Sequence, residues 1–230
     1  VDSLWLEWAE RRYGKVAAPA VVSALKKSED IITKGLCAGK MPLMDHSGLM
    51  SGSWRAGAIG RAWDLFARPG ELLVDKPYDE LVGAELRPWQ MSIRGVELDD
   101  YLEASETAAR AAREAIREIE GVQSALEPRH AESLLKAFQD ALLIIEAFRK
   151  TAVAARASAV HRQEHTAETR KALEDACADM EAYADRLETE QGAGFHATHH
   201  FISAFYQGKR HAGYGVPLGM RSVAESYRKD

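Results

Sequence analysis

His161-Arg162-Gln163-Glu164-His165 spells H-x-x-E-H. On a helix the two imidazoles stand at i and i+4, where both can reach one zinc ion, with Glu164 beside them as base. The chemistry needs an apolar helix packed on a sheet, and Arg156 to Arg170 is instead polar with no strand pattern nearby. An exposed face or a turn is the better account of it. His196, His199 and His200 form a second cluster, with His196 and His200 on one helical face and His211 in the same tail. Imidazoles at that spacing suit a transition metal, although His among aromatics such as Phe195, Phe201 and Phe205 more often serves as a hydrogen-bonded core member. Glu127-x-x-His130 is one half of a di-iron bundle pattern, and the chain has no repeat to complete it. Asp45-His46 and Trp63-Asp64 are the candidates for substrate contact. An indole face stacks on a sugar ring while a carboxylate holds its hydroxyls. The alternative is that the acids cap turns and the tryptophans fill a core. No Walker loop, dinucleotide fingerprint or nucleophile elbow is present.

These candidates must be positioned by two different textures, which meet near residue 97. All five Trp lie before it. Trp5 to Tyr13 reads as a helix stopped by Gly14, with Trp5 and Trp8 on one face. Pro19 sits at a first helical turn, and Val21, Val22, Leu25, Ile31 and Ile32 carry a second helix toward Gly35. An irregular run follows from Leu36 to Ser53. Ser53 can cap a third helix carrying Trp54, Ala58, Trp63 and Phe66, and the stretch from Glu71 to Gly95 reads mostly as loop.

Beyond residue 97 the apolar positions follow helical seams. Leu102, Ser105, Ala109, Ala112, Ile116, Ile119, Gln123 and Leu126 alternate three and four apart. Pro128 opens a second seam, Leu134, Phe138, Ala141, Ile145, Phe148, Ala152, Ala155 and Ala159. The third is Leu173, Ala176, Met180, Tyr183 and Leu187. The third stays in phase with the second and no Gly or Pro lies between Pro128 and Gly192, which allows one continuous helix. The polar seam from Arg162 to Thr169 also fits a turn between two antiparallel helices; the sequence leans slightly to the turn without deciding it. Many seam residues are small, so the helices can approach closely, within the chain or against another copy. The tail suggests short helices near 195–207 and 217–229.

The formal net charge of −5 over 230 residues argues against a nucleic-acid surface, and no apolar run is long enough for a membrane span. Two cysteines far apart are no disulfide framework, although one bridge between them stays open. The residues do not fix a compartment.

Leu4-Trp5-Leu6-Glu7-Trp8-Ala9-Glu10-Arg11-Arg12-Tyr13-Gly14, then Ala17-Ala18-Pro19-Ala20-Val21 and Leu25 to Ile32, resembles the segment after the catalytic barrel in α-glucuronidase-like bacterial glycoside hydrolases. The resemblance covers about a fifth of the chain and contains no catalytic signature. It implies a carboxy-terminal helical domain that braces a barrel, often mediates dimers and lends loops to the cleft. The paired carboxylates of such enzymes lie on the barrel, so none is carried over to this sequence.

The expectation is therefore an all-α fold, a long-helix bundle preceded by a loop-rich helical region. Residues 1–96 would form the loop-rich part, 97–190 the bundle, and 191–230 an aromatic and His-rich tail packed on it. The chain opens helical with no initiator Met or leader, which suggests the carboxy-terminal part of a longer protein. Its expected role is an accessory domain of a carbohydrate-active protein, without catalysis of its own and with no cofactor. Its partners would be its own amino-terminal catalytic domain and a second copy, with carbohydrate reached only through the whole protein and no nucleic acid or membrane involved. The alternatives are a stand-alone helical interaction module and a metal-binding protein using the His clusters.

Overall fold

The structure, a computed structural model, describes residues 2–38, 41–42, 95–192, 195 and 216–229. Six helices hold most of them: α1 Asp2–Tyr13, α2 Ala18–Lys26, α3 Gly95–Val122, α4 Pro128–Glu164, α5 Ala167–Gln191 and α6 Val216–Lys229. Cys37–Ala38 pairs antiparallel with Met41–Pro42, two residues a side, which is too little to form a sheet layer. The fold is all-α, as the seams require.

Helix boundaries follow local chemistry. Gly14, at φ 83°, ends α1 in the left-handed region, and its N–H reaches Glu10 O at 3.0 Å. Nothing lies within 4 Å of a Cβ built there, so backbone conformation and not space is what calls for glycine. Proline opens α2 in its first turn and α4 at its first residue. The expected second helix is shorter than the sequence suggests. It stops at Lys26, and the chain continues through one turn at Ser28–Asp30 and a π-helical turn at Ile31–Gly35. That change of winding buries Ile31 and leaves Ile32 52% exposed. Between α4 and α5, His165 takes φ 50° and Thr166 becomes the N-cap. Thr166 Oγ1 accepts from Thr169 N at 3.1 Å, and Thr169 Oγ1 accepts from Thr166 N at 3.2 Å, closing a reciprocal cap.

The described chain forms two compact units, and both α3 and α4 contribute to each. One comprises Val1–Leu36 with Ala104–Glu146. Its core is Val21, Ile31, Ile119, Phe138 and Ile145 set among alanines at 108, 109, 111, 112 and 115. Alanine keeps the helix axes close, and Gly35 shows how close. A Cβ added there would meet Ile145 Cδ1 at 2.6 Å and Ala108 Cβ at 2.8 Å. At the edge of this unit Lys27 Nζ donates to Glu118 Oε1 at 2.7 Å, and Ser23 Oγ donates to the same oxygen at 2.9 Å.

The other unit comprises Cys37–Glu103 with Ala147–Asp230. Phe148, Ala152, Ala155 and Ala159 of α4 are buried, as are Leu173, Cys177, Met180, Tyr183 and Leu187 of α5. Helix α6 packs along α5 and buries Val216, Met220, Val223, Ala224 and Tyr227. Thr151, fully buried in α4, satisfies its hydroxyl by donating to Ala147 O at 2.8 Å.

The α3 seam differs in phase from the sequence expectation. Tyr101, Ser105, Ala108, Ala112, Ala115 and Ile119 are buried; of the other expected seam positions Ala109 and Leu126 are buried too, whereas Leu102 and Ile116 are only partly buried and Gln123 is exposed. Both series alternate three and four, and they share Ser105, Ala112 and Ile119. Alanines at 108, 109, 111, 112 and 115 give periodicity no preference between adjacent phases, and contact with α2 and α4 chooses one.

Candidate functional site

Helix α1 carries the most unusual surface among the described residues. Its first two turns are exposed, and only Ala9 is fully buried. Leu4 is 68% exposed, Trp5 and Trp8 are each 44% exposed, and Leu6 and Val16 add to the same end of the chain. Ile32 and Val153 are the only other large hydrophobic side chains exposed among the described residues.

The aromatic residues form an ordered row. Trp5 meets Trp8 edge to face at 6.0 Å between ring centroids, Trp8 meets Tyr13 at 5.6 Å, and Tyr13 meets His130 at 5.2 Å. Such geometry places the positive edge of one ring on the negative face of the next. The row runs from surface to interior, because Tyr13 is partly buried against Ala9, Ala18 and Val22. At its inner end His130 Nδ1 is buried with no hydrogen-bond partner, and Glu127 Oε2 stands 3.9 Å away. Arg12 lies 5.7 Å above the Tyr13 ring. The helix is thus braced from behind through Tyr13 while its indoles face outward.

The H-x-x-E-H motif closes α4. The helix ends at Glu164 and His165 takes φ 50°, yet its N–H still reaches His161 O at 2.8 Å. His161 Nδ1 is hydrogen-bonded to Thr169 Oγ1 at 3.0 Å, and its ring meets His165 edge to face at 5.8 Å. The motif serves the turn. Glu127 likewise pairs with Arg129 at 2.9 Å instead of joining a carboxylate bundle. Among the described residues no group of three or more His, Cys, Asp or Glu is placed to hold a metal ion.

A set of ion pairs and buried titratable groups lies at the α5–α6 contact. Arg228 donates to both carboxylate oxygens of Glu181, with the Nη2 bond at 2.7 Å, and reaches Glu174 at 3.4 Å. The Glu181 hydrogen bonds hold its guanidinium above the ordinary arginine range. Arg221 spans Asp185, at 2.7 Å, and Glu188. Beneath these pairs burial pushes the Cys177 thiol up to about 11 and the Tyr227 phenol well above its usual value. A thiol so protonated is inert as a nucleophile. Cys177 is free, so the single bridge left open by the sequence does not form.

Asp45, His46, Trp63, Asp64, His196, His199 and His200 lie outside the described residues. Trp5 and Trp8 are where their spacing suggested. The connection of Tyr13 to His130 was hidden, because those residues are far apart in sequence and no local pattern links them. No helix among the described residues is long and apolar enough to cross a membrane. No family model, curated protein or solved structure matches the chain.

Proposed function

We propose that the chain is a non-catalytic helical docking domain, which uses the outward face of α1 to hold another protein surface. The observation that carries this reading is the concentration of Leu4, Trp5, Leu6, Trp8 and Val16 at one end of the described chain, exposed while Tyr13 anchors the helix behind them. A patch of large apolar side chains marks an interface, because leaving it in water forfeits stabilisation of about 1.5–3 kcal/mol for each large side chain it would otherwise bury. Tryptophan is also the residue most enriched among interface anchors.

The resemblance of residues 4–32 supplies the finer form of the reading: an accessory domain of a carbohydrate-active protein that braces a barrel and supports dimerisation. A barrel-sized reading frame upstream of Val1 in the encoding gene would support that form, and its absence would remove it.

Docking itself is tested by placing a benzophenone amino acid at Leu4 of the intact gene product in its own cell. Irradiation should join that position to a defined protein surface, within the same protein or on another chain. The same group at exposed Glu120 of α3 is the control. Labelling at Leu4 no greater than at Glu120 would overturn the docking reading.

A further inference from the structure

We infer that the occupant of the α1 face is a second copy of this chain, with the two α1 helices antiparallel about a two-fold axis at Trp8. This deepens the docking reading and rests on it. Leu4, Trp5, Trp8, Arg11 and Arg12 lie along one outward stripe of α1, and Lys15 follows in the turn after Gly14. The first half of the stripe is apolar and aromatic, and the second half is cationic. The stripe carries no carboxylate. Glu7, off the stripe, bridges Arg11 from the side, whereas Arg12 and Lys15 have no carboxylate within ion-pair distance among the described residues.

Such a stripe complements its own reverse. In an antiparallel pair centred on Trp8, residue numbers facing each other sum to about sixteen. Trp8 then meets Trp8, Arg11 lies over the Trp5 indole, and the stem of Arg12 covers Leu4. A guanidinium on an indole face is the favoured cation–π pair, and an arginine stem shields apolar surface while its head stays wet. Antiparallel axes also oppose the helix dipoles favourably. A parallel pair would stack arginine on arginine. The two-fold arrangement uses the same patch on both copies, as closed dimers do. With 12 residues, α1 spans about 18 Å. One helix pair of that length gives a small interface, so the dimer should be weak, with a dissociation constant on the order of 10–100 µM.

Sedimentation velocity of the full chain from about 1 to about 500 µM brackets that constant. Wild type should pass from monomer to dimer, and Trp8→Ser and Arg11→Glu should each raise the dissociation constant at least about tenfold, equivalent to about 1.4 kcal/mol. Orientation is read from mild oxidation. The Leu4→Cys, Arg12→Cys double variant should form a disulfide-linked dimer, and Leu4→Cys alone should stay monomeric beside a wild-type control. Monomer throughout the range overturns the inference, as does a dimer unaffected by Trp8→Ser. Efficient self-linking of Leu4→Cys alone would mean a parallel pair and also overturns it. If Trp8→Ser fails to fold, the wild-type concentration series and the Arg11→Glu variant still decide. A monomeric chain whose Leu4 benzophenone links a different protein surface would sink self-pairing and leave the docking reading standing.

Discussion

Trp5 and Trp8 each keep a little under half of their surface in water while pressing edge to face on one another, so they are neither core nor idle. In dilute monomer both should be reached by acrylamide. Trp5→Phe and Trp8→Phe should each remove a readily quenched share of the fluorescence. Two inaccessible indoles would mean that α1 is covered within the chain. Cys177 and Tyr227 present the opposite case, since burial favours their neutral forms. For each group the folded state binds its proton more tightly than the unfolded state does. The contribution from Cys177 is therefore full below its ordinary value of 9.0 and is lost as pH rises through about 11, with Tyr227 acting in the same direction. The melting midpoint should fall across that interval, and Cys177→Ala should fall less steeply than wild type. Parallel curves would mean that Cys177 ionises without a folding penalty.

At the level of elements, close helix contact is the organising constraint. Gly35 has no room for a methyl group against Ile145 and Ala108, so Gly35→Ala should destabilise the fold by about 1–3 kcal/mol in urea unfolding. An unchanged midpoint would mean that the π-helical turn yields easily. Phe148 is 2% exposed on the buried stripe of α4, and Phe148→Ala should cost about 3–5 kcal/mol. A loss below 1 kcal/mol would mean the surroundings collapse to fill the space. The break between α4 and α5 was only partly legible: the polar stretch favoured it, but the seams stay in phase with no Gly or Pro between, and the reciprocal cap of Thr166 and Thr169 decides it. The phase of α3 was not legible, since neighbouring alanines bury equally well on either side.

For the molecule as a whole, the docking reading separates surface recognition from catalysis. Purified chain should stay at background against aryl glycosides and uronides. Turnover that survives repurification and disappears in Asp45→Asn or Asp64→Asn would establish a catalytic site and overturn that reading. In the H-x-x-E-H motif the His161 ring is held by Thr169 Oγ1 across the turn that follows α4, a partner the spacing does not reveal. The sequence by itself determined the all-α class, the glycine stop after α1, the proline starts of α2 and α4, and the placing of Trp5 and Trp8 on one face. Each follows from forces acting within a few residues: allowed φ, a missing N–H, and helical period. Tertiary structure alone decided which side of α3 is buried, that Tyr13 rests on His130, and that Arg221 and Arg228 tie α6 to α5. Those contacts join residues 33 to 117 positions apart, and only the folded chain brings such partners within reach.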